Sequence, residues 1–114
     1  VNWTDVCALE DLTPDRGAGA LVDGAQVAVF RLSDGPVVAV GNTDPISRAN
    51  VLCRGLVGSR GARAVVFSPL HKQAFDLVTG ECLDAEGVRI PVHPVEVRAG
   101  RVLVGPAGTA RRIA

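Results

Sequence analysis

The sequence predicts an all-β fold: an antiparallel β-sandwich or small barrel with one or two short helical turns. Three observations carry that expectation. Apolar residues alternate with a period of two in the clearest segments, and long helical periodicity is absent. Turn-forming pairs containing Asp or Gly recur about every ten residues, the rhythm of hairpin-connected strands. Val dominates the apolar side chains, and β-branched residues favour strands.

Taken in order, residues 8–12 (ALEDL) predict a short helix ended by Pro14. Asp23 and Gly24 predict a tight turn before residues 25–32 (AQVAVFRL). Alternation there puts Val27, Val29 and Arg31 on one face and Ala28, Phe30 and Leu32 on the other. Residues 33–35 (SDG) turn the chain into residues 37–41 (VVAVG), a short run of buried type. A second helical turn is expected after Pro45, within DPISRANVL. Residues 41–81 then break the rhythm, being rich in Gly, Pro, Ser and Arg, with two loops flanking residues 62–68 (ARAVVFS). Gly55, Gly58 and Gly61 lack the GxxxxGK[ST] spacing of a phosphate loop and read as a flexible connection. Residues 95–105 predict a last hairpin with Ala99 and Gly100 at its tip. One domain over residues 1–105 is expected, then a flexible tail over 106–114, with no internal repeat and no linker.

A chain of 114 residues with 47% hydrophobic content is long enough to bury a core without disulfides or metal. Its formal net charge of zero argues against bulk electrostatic binding to nucleic acid or membranes. The charges are unevenly placed, however. Residues 45–72 carry Arg48, Arg54, Arg60, Arg63 and Lys72 and no acid, which marks these five as candidates for docking to a partner. Phe67 is the sole aromatic among them, whereas stacking of nucleic-acid bases needs several. Cys7, Cys53 and Cys82 are far apart and form no CxxC or zinc spacing, so they read as free thiols of a reducing cytoplasm. No apolar run approaches the roughly 20 residues of a membrane span, and nothing resembles a signal peptide.

The chemistry-bearing stretch is SPLHKQAFDLVTGE, residues 68–81. A His follows a Pro turn, then comes a short apolar run and a Thr-Gly turn. With NTDP, residues 42–45, one strand earlier, this order resembles the Rieske iron–sulfur domain. That family pairs a Cys-x-His loop with a Cys-Pro-x-His-Gly loop, followed by a hairpin of the form xxFDLxTG. The resemblance covers nearly the whole chain. A Rieske cluster takes two thiolates on one iron and two imidazoles on the other. At the matching positions this chain has Asn42, Asp44, Ser68 and His71, so only His71 remains of the set. An amide and a hydroxyl do not replace thiolates on iron. No [2Fe–2S] centre is therefore expected.

The pattern DP-S-A-V--RG and SPL-KQ-FDL-TG-C is similar to one subfamily, the small subunits of assimilatory NAD(P)H-dependent nitrite reductases. His71 stands where Tyr is common in that group. The resemblance implies a non-catalytic accessory subunit, cytoplasmic, binding no cofactor itself. It implies a large partner subunit that carries FAD, siroheme and an iron–sulfur centre and reduces nitrite to ammonium. Two other readings compete: a true Rieske-type electron carrier, and a generic interaction module on the same frame. Ser68 with His71 three residues on has no third member or oxyanion motif, which argues against a hydrolase. His93, between Pro91 and Pro94, has no motif around it and is assigned no role.

Overall fold

A computed structural model describes residues 2–108 of the chain. Ten strands form three antiparallel sheets, joined by few and short helical turns. The first sheet joins the two ends of the domain: β1 (Thr4–Ala8) pairs with β10 (Arg101–Val104), which pairs with β9 (Val95–Arg98). The second holds β2 (Gly17–Val22), β3 (Ala25–Arg31), β4 (Val37–Gly41) and the short β8 (Val92–His93), in that order. The third holds β5 (Leu56–Arg60), β6 (Arg63–Phe67) and β7 (Ala74–Asp76). No helix among the described residues is long and apolar enough to cross a membrane.

The hairpin turns fall where expected. Asp23 and Gly24 take φ of 54° and 84° between β2 and β3, and Ala99 and Gly100 take 51° and 77° between β9 and β10. Positive φ at both central residues matches the right-handed twist of the strands they join.

β3 organises the interior because both of its faces are covered. Ala28, Phe30 and Leu32 enter one core with Val40, Leu52, Val66, Phe75 and Leu77. Val27 and Val29 enter another with Leu12, Val22, Ala39, Val102 and Val104. The alternation in residues 25–32 therefore separates two cores rather than a core from solvent. Cys82 is part of the first core, while Cys53 and Cys7 pack at the edges of the first and second respectively. All three are free thiols.

Three expectations are corrected. The first helix shrinks to a 3-10 turn, Leu9–Asp11, because Ala8 completes β1 and the Leu9 amide is taken by the Gly100 carbonyl at 2.8 Å. The second helical turn falls at Leu52–Arg54 rather than directly after Pro45. The glycine-rich segment is an ordered hairpin, not a flexible connection. Gly58 lies inside β5, where its missing side chain leaves room for the Phe67 ring (an added Cβ would meet it at 3.1 Å). Residues 109–114 of the expected tail lie outside the described residues, and Gly108 is tied by its amide to the Val92 carbonyl at 3.0 Å.

Candidate functional site

The two loops that in a Rieske domain would hold the cluster follow β4 and β6. The first begins at Asn42, which is buried. Its side-chain Oδ1 accepts the Cys53 amide at 2.7 Å, and its backbone bonds Gln26 and Leu52. Asn42 thus closes its own loop onto the 3-10 turn. Asn42→Ala should leave the Cys53 N–H without a partner and cost about 1–2 kcal/mol in urea unfolding. An unchanged midpoint would show that water replaces the amide.

Asp44 is fully buried, with 0% of its surface exposed. Its Oδ1 accepts the amides of Ile46 at 2.8 Å and Ser47 at 3.4 Å. Its Oδ2 accepts the Ser68 hydroxyl at 2.5 Å. Ser68 is itself buried, and its Oγ also accepts the Leu70 amide at 3.3 Å. Positions of a first-loop imidazole and a second-loop thiolate are here joined directly by one hydrogen bond. Burial works to raise the Asp44 pKa. The bonds from Ser68, Ile46 and Ser47, with a smaller contribution from nearby His71, outweigh it and hold the carboxyl below the ordinary Asp range. His71 is solvent-exposed on the second loop.

This donor set does not fit a [2Fe–2S] cluster. Asn42 and Asp44 supply hard oxygen atoms that are already engaged, Ser68 supplies a neutral hydroxyl, and the bond between Asp44 and Ser68 draws the loops together. Among the described residues no group of three or more His, Cys, Asp or Glu side chains is placed to hold a metal ion.

Both loops use one backbone design. In the first, the Arg48 amide bonds the Asp44 carbonyl at 2.7 Å; in the second, the Lys72 amide bonds the Ser68 carbonyl at 2.9 Å. Each opens with a buried polar residue followed by Pro, places an exposed aliphatic residue third (Ile46, Leu70), and ends on a cation with positive φ, 65° at Arg48 and 64° at Lys72. The polar side chain of each first residue accepts the amide of its third. The turn appears again after β7, where Asp76 Oδ1 accepts the amides of Val78 and Thr79 at 2.7 and 3.0 Å and the Gly80 amide bonds the Asp76 carbonyl at 2.8 Å. This third turn ends on Gly at φ 80°. Sequence reading missed the equivalence because the first residues differ in type. The shared spacing of DPISR and SPLHK is the signal that could have revealed it.

The structure divides the five basic candidates. Arg60 pairs with Asp84 at 2.7 Å and lies over the Phe67 ring. Arg63 pairs with Glu81 at 2.9 Å and Asp76 at 3.4 Å. These two brace the β5–β6 hairpin against the chain that follows β7. Arg54 sits at the end of the 3-10 turn Leu52–Arg54. Arg48 and Lys72 stand on the loop tips, exposed, with no acidic partner among the described residues. His93, to which no role was assigned, is buried with Nδ1 2.9 Å from the Gly105 carbonyl, so it fastens β8 to the end of β10.

Comparison with known proteins agrees with this geometry. Residues 2–105 match the family model of the Rieske-like [2Fe-2S] domain. The small subunit of nitrite reductase (NADH) from Escherichia coli (strain K12) is 37% identical over 102 residues, covering 89% of this chain and 94% of that protein. The large subunit of nitrite reductase [NAD(P)H] from Klebsiella oxytoca is 40% identical over 103 residues; these span 90% of this chain but 11% of the Klebsiella protein. A crystal structure of a candidate NADH-dependent nitrite reductase small subunit from Mycobacterium tuberculosis superposes with a TM-score of 0.88 at 55% identity, covering 90% of this chain and 93% of that one. The chain belongs to the Rieske-like family of nitrite reductase small subunits, and it carries a carboxylate and a hydroxyl, bonded to each other, where iron ligands would stand.

Proposed function

We propose that the chain is the non-catalytic small subunit of a cytoplasmic NAD(P)H-dependent nitrite reductase, docking to and supporting a large subunit that performs the chemistry. The observation that carries this reading is the pair of contexts in which close relatives occur. In Escherichia coli the relative is a separate small subunit of nearly the same length; in Klebsiella oxytoca it is a segment of a large subunit. A domain found both beside and within the large chain works in contact with it. Multi-electron reduction needs cofactors, and the loop chemistry here supplies no soft ligand set, so FAD, siroheme and an iron–sulfur centre belong to the large subunit. We read the three sheets as a Rieske-like antiparallel β-sandwich or small barrel.

The test is reconstitution. The large nitrite reductase chain of the same organism, assayed for nitrite-dependent NADH oxidation, should gain activity or yield of assembled enzyme when this chain is added. The added chain should copurify with it and carry no stoichiometric iron. Full activity and assembly of the large chain alone, with no copurification, would overturn the proposal. About two irons per chain and a reduced-state EPR signal would favour an electron carrier instead.

A further inference from the structure

The strongest unexplained feature of the surface is the choice of residue that closes the two loop turns. A positive φ near 65° costs a residue with a Cβ free energy that Gly does not incur. The turn after β7 uses Gly80, which its close contact with Ile90 also demands. The two loop turns use Arg48 and Lys72 instead. Asp15, Asp23 and Ala99 also take positive φ, so the backbone alone does not set these two apart; Arg48 and Lys72 differ in being exposed cations with no acidic partner among the described residues.

The surroundings of these two cations point the same way. Ile46 and Leu70 are exposed at 43% and 52%, each two residues before its cation. Pro45 and Pro69 are exposed beside them and stiffen each turn. Three hydrogen bonds in series, from the Ile46 amide through the Asp44 carboxylate and the Ser68 hydroxyl to the Leu70 amide, bind the two tips to each other. From Pro45 to Gln73 the sequence holds no acid, and the one carboxylate between the tips is buried and engaged. The two joined tips present two exposed aliphatic side chains and two exposed cations with no acidic partner among the described residues.

We propose that these twin tips are the docking surface for the large nitrite reductase chain, which meets them with an apolar patch edged by carboxylates. Ile46 and Leu70 fill the apolar centre, and Arg48 and Lys72 pair with the acidic edge. Charge complementarity selects the partner's chemistry: exposed cations beside exposed aliphatic side chains are matched by carboxylates beside an apolar patch. Rigidity from the clip between Asp44 and Ser68 reduces the entropy lost on binding. Arg60 and Arg63, already paired within the chain, are outside this surface. The inference rests on the small-subunit reading above and adds the place of contact.

The experiment measures the dissociation constant between this chain and the large nitrite reductase chain of the same organism, at low and high salt, with unfolding midpoints in parallel. Arg48→Gly with Lys72→Gly should weaken binding by about tenfold or more, and flatten its salt dependence, while raising the unfolding midpoint of the free chain. Those opposite signs separate a binding role from a structural one. Ile46→Ser with Leu70→Ser should weaken binding to a similar degree without changing the salt dependence. Arg98→Ala, at the end of β9 in another sheet and outside both loops, should bind as wild type. Wild-type binding that survives both tip variants within about twofold would overturn the docking surface and leave the small-subunit reading standing. Absence of any wild-type binding would overturn both. Loss of wild-type self-association in the tip variants, with binding to the large chain unchanged, would assign the face to a second copy of this chain and overturn the proposal.

Discussion

Asp44→Ala should destabilise the free chain by about 3 kcal/mol or more, read as a shift in the urea or thermal midpoint. The carboxylate accepts three hydrogen bonds in a fully buried position, from Ser68, Ile46 and Ser47. Alanine leaves those three donors without their acceptor and removes the one side-chain bond between the loops. Bonds to an ionised group are worth about 1.5–3 kcal/mol each, and buried donors left unpaired add a desolvation cost. Ser68→Ala should cost less, about 2 kcal/mol, since the carboxylate keeps both amide partners. The pH dependence has a definite sign. A carboxyl whose pKa is depressed in the folded state contributes stability that is fully present above its unfolded value, about 4, and is lost as pH falls through the lower folded value. The difference in stability between wild type and Asp44→Ala should therefore be greatest near neutrality and narrow below about pH 4. A constant difference across that range would show that the carboxylate's charge contributes nothing to the clip.

Gly80→Ala should be the most disruptive glycine substitution in the hairpin region, costing about 3–5 kcal/mol. Gly80 combines φ of 80° with a buried position, and a Cβ built on it would lie 2.1 Å from the Ile90 carbonyl oxygen and 3.0 Å from a Val92 methyl. Neither neighbour can give way easily. The Gly80 carbonyl accepts the Ile90 amide at 2.8 Å, and Ile90 belongs to the first core. Gly24→Ala supplies the comparison. Gly24 has φ of 84° and nothing within 4 Å of an added Cβ, so only the conformational cost of about 1 kcal/mol applies. Equal costs at the two positions would mean that the close approach to Ile90 relaxes without penalty. The FDLVTG motif is thereby explained as packing and turn chemistry. Phe75 and Leu77 fill the core, Asp76 accepts the turn amides, and Gly80 permits the approach.

The two loops join stability to function. Where a cluster would bind the loops through iron, this chain binds them through one short hydrogen bond, and the tips keep a fixed shape without a metal. A partner can then meet a surface that does not have to be ordered on contact. The exposed Ile46 and Leu70 would be an aggregation hazard on a free monomer if they lay in a larger apolar patch. Each is followed two residues on by an exposed cation, Arg48 or Lys72, which limits the apolar patch.

Much of this was legible in the residues. The alternation over residues 25–32, the turn pairs at Asp23 and Gly24 and at Ala99 and Gly100, and the Val-rich composition determined an antiparallel β fold, because side-chain periodicity and positive φ are local properties. The motifs around Asn42, Asp44, Ser68 and His71 determined the family and the loss of the thiolates, because ligand identity is a matter of residue type. Tertiary structure alone decided the rest. Both faces of β3 are buried because sheets and loops distant in sequence cover each side. Arg60 and Arg63 brace the fold, while Arg48 and Lys72 have no acidic partner among the described residues, because Asp76, Glu81 and Asp84 fold back onto the first pair and not the second. Asp44 and Ser68, separated by 24 positions, meet in one buried bond. That meeting depends on where two sheets place their loops, and no local pattern records it.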